Sequence, residues 1–246
     1  PLVLFTPDGA DAGKSIGTAV REGLSEVWRT LGQLRHFANV GLSLLTRMIF
    51  NDGMAGVLIF GGVYAAGTFG WGTTELLLFG IITSFSAAIG AVLGGYLDDR
   101  LGSKRAVLLA VGGTAALLAV GVNIQPDSIL FVPYQGSSAI WSLPYFNTLP
   151  EFLYFANTQI FAMFITVGFA SARTMMARIA PPSMMTQFFG LYALSGTATA
   201  FLAPLLVGLF TSAFQSQRAG FASLIILLSL GFVMMLFVRE EQAQPA

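Results

Sequence analysis

Cysteine is absent from the 246 residues and histidine occurs once, as His36. The first absence excludes disulfides, thiolate metal sites and cysteine nucleophiles, and the second leaves little for imidazole-based metal or triad chemistry. Charge is scarce as well: only 10% of residues carry one and the net charge is zero. No global basic field therefore argues for nucleic acid, and the cations have to be read by position. What fills the chain is apolar. A hydrophobic content of 55% and a mean hydropathy of +0.75 are wrong for a soluble domain and point to a membrane protein. No basic leader or small-residue cleavage site precedes the apolar segments, so a secretory signal is not expected, and a start at Pro1 reads as the middle of a longer polypeptide.

Six stretches meet or nearly meet the roughly 20 apolar residues a bilayer span requires. They are 53–70, 76–97, 106–124, 152–172, 188–214 and 219–238, none with an interior charge. The expected fold is an all-α membrane protein of six transmembrane helices over 37–239, preceded by a cytoplasmic segment, 1–36, and followed by a short cytoplasmic tail, 240–246. Within the first segment, Val20, Leu24, Val27, Leu31 and Leu34 recur at helical spacing among Arg21, Glu22, Glu26 and Arg29. That pattern predicts an amphipathic helix on the membrane surface over 16–35. Gly9 to Ser15 imitates a phosphate-binding loop, but three residues rather than four separate its glycines and Pro7 interrupts the strand that should precede it.

Orientation follows from the cations, which are retained in short cytoplasmic loops. Lys14, Arg21, Arg29 and Arg35 precede the first span, Arg100, Lys104 and Arg105 lie between the second and third, Arg173 and Arg178 follow the fourth, and Arg239 follows the sixth. The opposite loops contain only Arg218. Both termini are expected in the cytoplasm. The long junction 125–151 carries Phe131, Tyr134, Trp141, Tyr145 and Phe146, which suits either a segment resting at the outer interface or an ordinary loop.

The most polar stretch is 94–105, with five charges in twelve residues between two apolar runs. Asp98 and Asp99 stand at a helix C-terminus, where the dipole disfavours a carboxylate, so they need a partner. Arg100, Lys104 or the N-terminus of a neighbouring helix would serve. Gly95 and Gly102 permit close approach and a tight reversal. Ser86, Ala87, Gly90 and Gly94 form a small-residue stripe expected to pack closely against another helix. Pro204 predicts a kink in the fifth span.

Gly95, Leu97, Asp99, Arg100, Gly102 and Lys104 reproduce the Gly-x-Leu-x-Asp-Arg-x-Gly-x-Lys signature between the second and third helices of each half of major facilitator transporters. The chain resembles that superfamily. Phe50 to Gly53, Met176 to Pro182, Phe188 to Gly196 and Pro204-x-x-x-Gly208 further resemble the vacuolar amino-acid effluxers and their bacterial relatives. It departs from them at Asp98, where a small residue is common, at Ser103 and Thr197, where basic residues are usual, and in the expanded 125–151 loop.

The resemblance implies the C-terminal six-helix half of a secondary-active transporter in a bacterial cytoplasmic membrane. Such a protein moves a small polar solute, an amino acid among the candidates, by alternating access around a central site. Its partners would be an N-terminal half of the same transporter or a second copy, the solute and the bilayer, with no cofactor, metal or nucleic acid. Asp99, Arg100, Lys104 and Arg105, with Gly95 and Gly102, would form a cytoplasmic gate. Asp52 with Arg47 and Asn51 is the expected solute or proton pathway if the first helix starts near Phe37, because a charge inside a span is costly. Gln159, Thr166, Tyr192 and Ser195 are further polar candidates for that pathway. Arg173 reads as an interfacial anchor. The competing readings are a membrane-embedded enzyme binding metal and lipid phosphate through Asp98 and Asp99, and a scaffold that transports nothing. The enzyme lacks the third acid expected three or four residues on, where Gly102 and Ser103 stand.

Overall fold

A computed structural model describes residues 37–136 and 139–240, together with the isolated glycines Gly17 and Gly32. The expected surface helix over 16–35 and most of the tail lie outside the described residues. The chain is an all-α membrane protein built from helices α1 (Ala38–Phe69), α2 (Thr73–Leu101), α3 (Ser103–Gly121), α4 (Leu149–Ile179), α5 (Met185–Ser195), α6 (Leu202–Phe214), α7 (Gln217–Ala222) and α8 (Leu224–Phe237). Five helical units among the described residues are long and apolar enough to cross a membrane: α1, α2, α3, α4 and the α7–α8 pair. The other expected span, 188–214, is divided. Its two parts, α5 and α6, are joined by non-helical turns at 196–201.

The helices overrun the apolar stretches because polar end residues continue the backbone hydrogen bonding. The largest extension is in α1, whose 32 residues amount to about 48 Å. It begins at Ala38 rather than at position 53, so Asp52 lies near the middle of the helix. Gly70, at φ 71°, closes α1. A single residue, Gly102, separates α2 from α3 at φ 83° and ψ 153°, a region open almost only to glycine. The start of α4 is fixed by a reciprocal cap. Thr148 Oγ1 accepts from Glu151 N at 3.4 Å, and Glu151 Oε2 accepts from Thr148 N at 3.1 Å.

The buried residues of α2 are Ser86, Gly90, Gly94 and Asp98, one every four positions. This stripe lies against α4. A Cβ on Gly90 would stand 2.6 Å from Met163 Cα, and one on Gly94 3.2 Å from Val167 Cα. Backbones approach this closely because helix association in lipid depends on packing rather than on exclusion of water. At the end of the bundle where α1 finishes, aromatic rings fill the core. Trp71 meets Phe146 edge-on at 4.7 Å, Phe146 stacks on Phe155 at 4.6 Å, and Tyr64 stacks on Phe221 at 5.0 Å. The 125–151 loop beside them opens with a three-stranded antiparallel meander, β1 (Ile124–Gln125), β2 (Ser128–Ile129) and β3 (Val132–Pro133).

Gly90→Ala should therefore destabilise the full-length protein by about 1–3 kcal/mol through overpacking. Gly95→Ala, whose Cβ would meet nothing within 4 Å, should be neutral or slightly stabilising. Thermal unfolding in detergent checks the pair, and equal melting of the two variants would contradict this packing.

Candidate functional site

The break in the fifth span leaves the last carbonyls of α5 and the first N–H groups of α6 without helical partners. Turn residues take up some of them, as Gly196 N donates to the Ala193 carbonyl, Thr197 N and Ala198 N to the Leu194 carbonyl and Leu202 N to the Thr199 carbonyl, and one face of α1 meets others. Arg47 and Asn51 are four apart on that helix, as are Met48 and Asp52, so the four residues form a single patch. Arg47 donates through Nη1 to the Tyr192 carbonyl at 2.8 Å and to Ser195 Oγ at 2.7 Å. Its guanidinium lies 3.6 Å from the centroid of the Tyr192 ring. Asn51 Nδ2 donates to the Gly196 carbonyl at 3.2 Å, and Thr199 Oγ1 donates to the Met48 carbonyl at 3.0 Å. Asp52, 4% exposed, accepts from Ala203 N at 2.9 Å. Gly196 packs closely on this patch: a Cβ would stand 3.0 Å from both terminal nitrogens of Arg47, which would have to shift slightly.

The electrostatics are complementary at both ends. Arg47 meets the negative C-terminal end of α5, and Asp52 meets the positive N-terminal end of α6. Among the described residues neither charge pairs with an opposite side chain. Each is offset by a helix end, which lowers the cost of placing an Arg and an Asp in the interior of a membrane protein.

Five of the seven expected pathway residues are thus brought together: Arg47, Asn51, Asp52, Tyr192 and Ser195. The other two are elsewhere. Gln159 joins the α2–α4 interface, accepting from Ser86 Oγ at 2.9 Å and donating to Thr83 Oγ1 at 3.3 Å. Thr166 donates to the Ala162 carbonyl of its own helix at 3.0 Å. The fifth span is interrupted before Pro204 rather than at it. Pro204 falls in the first turn of α6, where a missing N–H costs no helical bond.

A second polar centre lies at the opposite end of the bundle from the aromatic core. Asp98, 4% exposed, pairs with Arg178 Nη2 at 2.9 Å, and Arg178 Nη1 pairs with Glu240 at 3.1 Å. Glu240 also caps the start of α3, accepting from Ser103 N at 2.8 Å and Lys104 N at 3.4 Å. Lys104 Nζ donates to the Leu236 carbonyl in the last turn of α8 at 2.8 Å. Asn39 and the Arg239 backbone exchange two hydrogen bonds of 2.7 Å, tying the start of α1 to the same cluster.

Of the partners expected for Asp98 and Asp99, neither Arg100 nor Lys104 pairs with either acid among the described residues. Asp99 is exposed and has no ion-pair partner among the described residues. Arg100 lies 4.2 Å from the centroid of the Tyr96 ring. Arg105 and Gly95 are exposed, and Lys104 engages a backbone carbonyl instead. The residue that turns inward is Asp98. Sequence reasoning missed Arg178 and Glu240 as its partners, and Thr199 and Ala203 as those of α1. The visible signal for Asp98 was its position four residues beyond the small-residue stripe.

Five spanning units, a further apolar stretch broken in two and held by buried charges, and a polar cluster at one end define a multi-pass helical membrane protein. Family comparison sharpens this: the model described as "Vacuole effluxer Atg22 like" matches residues 4–246. The chain belongs to that family. It is 24% identical over 217 residues to the "Uncharacterized MFS-type transporter YxiO" of Bacillus subtilis, covering 87% of this chain and 44% of that protein. It is 23% identical over 234 residues to "Autophagy-related protein 22" of Cryptococcus neoformans, covering 93% of this chain and 41% of that protein. "Autophagy-related protein 22-1" of Aspergillus niger is 23% identical over 238 residues, with 94% and 37% covered. The chain thus spans less than half the length of these curated relatives. No solved structure matches it.

Removing Arg178 strands a buried carboxylate. Arg178→Ala should destabilise the full-length protein by about 2–3 kcal/mol, below the roughly 3–5 kcal/mol of a fully buried pair, because the Arg178 side chain is 39% exposed. Adding Asp98→Asn should recover part of the loss, since the orphaned charge is then gone. Melting temperatures of the two single variants and the double variant check this, and no recovery in the double variant would argue against the pairing.

Proposed function

We propose that the chain is the C-terminal half of a secondary-active transporter that moves a small polar solute, an amino acid in the leading reading, by alternating access. The observation that carries the proposal is the broken fifth span, whose two ends meet Arg47 and Asp52 inside the membrane. Discontinuous helices with charged or polar groups at their ends are how many transporters present a site near the bilayer midplane while keeping backbone groups satisfied. Arg47, Asn51, Asp52, Tyr192 and Ser195 are the proposed solute or proton pathway. A groove of about 820 Å³ runs beside α1 and α6 from Pro204, next to the Asp52 partner Ala203, to Gln217.

In this reading a separate N-terminal half completes the pathway, since six spans enclose no route alone. Relatives more than twice as long support its being part of the same polypeptide. The exposed Asp99, Arg100 and Arg105 would face that half as the gate, with Asp98, Arg178 and Glu240 holding their helices from behind. In the same reading both termini are cytoplasmic and the membrane is a bacterial cytoplasmic one; the placement of the cations supports the orientation.

Asp52→Asn keeps an oxygen for the Ala203 N–H but cannot release a proton. In proteoliposomes of the full-length protein this variant should lose pH-gradient-driven uptake while solute exchange at equal pH persists. Unchanged gradient-driven uptake would reject the proton role, and absence of both activities in the unmodified protein would reject transport. Crosslinking in native membranes should give intramolecular links between this half and an N-terminal half of the same polypeptide, and purely symmetric dimers of this chain would overturn the single-polypeptide arrangement.

A further inference from the structure

The meander at the head of the 125–151 loop is polarised end to end. Its first turn, between β1 and β2, carries Pro126 and the exposed Asp127. The second, between β2 and β3, carries Leu130 and Phe131 and is followed by Val132. These three side chains are 50%, 77% and 66% exposed. Leu130 and Phe131 have φ of 50° and 69°, a conformation unfavourable for bulky residues, and the turn nonetheless presents both outward.

Level decides what meets them. Helix α3 has 19 residues, about 28 Å, which matches a hydrocarbon core of roughly 30 Å. Chain leaving Gly121 therefore enters the headgroup zone at once. Leu130 N donates to the Asn123 carbonyl at 2.9 Å, so the apolar turn folds back to a point two residues beyond the end of α3. The Asp127 turn lies at the other end of the strands, with Pro126 beside Phe69 and Pro150. Arg218 bonds the Asn123 side chain and stands 5.9 Å from the centroid of the Phe131 ring. An apolar turn, an aromatic ring and a cation are thus grouped at the height of lipid phosphates, with the nearby acid directed away from it. Trp and Tyr belts and basic residues anchor spans in this way at membrane interfaces.

We propose that Leu130, Phe131 and Val132 insert into the headgroup region of the bilayer as an interfacial anchor, with Arg218 placed to meet lipid phosphate. The anchor would hold the α3–α4 end of the bundle at fixed depth. This requires only that the chain spans the membrane, and it is independent of what the protein transports.

The absence of cysteine in this chain makes site-directed spin labelling direct. Phe131→Cys and Asp127→Cys are labelled separately in the full-length protein, with any cysteines outside this chain replaced by serine. The protein is reconstituted in phosphatidylcholine–phosphatidylglycerol liposomes. The label at 131 should collide several-fold more with oxygen than with an aqueous nickel complex, and the label at 127 should show the reverse. Equal access of the nickel complex to both positions would overturn the anchor. So would a label at 131 shielded from both reagents, because protein rather than lipid would then cover the turn. Leu130→Cys repeats the measurement at a second site with the same expected ratio, and disagreement between 130 and 131 would also count against insertion.

Discussion

Hydrocarbon offers a backbone no water to bond with, so every N–H and C=O within a membrane has to find its partner in the protein. Among the described residues, the α7–α8 pair meets that demand with a single turn residue, Ser223, between its parts, and α1 to α4 meet it by continuous helix. The other expected span breaks it at 196–201, and much of what is unusual in the molecule follows. The break needs a donor for the end of α5 and an acceptor for the start of α6, both at depth. Helix α1 supplies them as Arg47 and Asp52, with Asn51 and the Met48 carbonyl between. Two charges that would be prohibitive alone are tolerated because each stands against a helix end of opposite polarity.

The same device recurs at the other polar centre. Glu240 bonds the first N–H groups of α3, and Lys104 bonds a carbonyl in the last turn of α8. Side-chain charge is matched there to helix termini as well as to the Asp98–Arg178–Glu240 chain of ion pairs. Between the two centres the bundle is held by close backbone approach, as where Gly90 lies on Met163. The two charged centres thus lie at different depths, with close packing and uncharged hydrogen bonds such as Ser86 to Gln159 between them.

Much of this was legible in the sequence for a physical reason: long apolar runs have few alternatives to a membrane helix. The cluster Arg47, Asn51 and Asp52 was legible too, because charge inside such a run is expensive. The break was not. Gly196 to Phe201 contains no proline and no charge, and Pro204, the obvious helix breaker, sits harmlessly in the first turn of α6. Choosing between Asp98 and Asp99 by hydropathy was equally impossible, since adjacent residues on a helix differ by about 100° in direction. Only the four-residue repeat Ser86, Gly90, Gly94 points to Asp98 as the inward acid. Arg178 and Glu240 lie 80 and 142 positions from Asp98, and nothing local in the chain announces their meeting.

The five-residue step from Arg47 to Asp52 gives α1 the character of a gauge. Its rise sets the two charges about 7.5 Å apart along the helix axis, and the ends of α5 and α6 are held to that interval. A single residue inserted between the charges would turn one of them by about 100° around α1 and leave one half of the broken span without its counter-charge. The register of one unbroken helix thus carries the dimensions of the broken one.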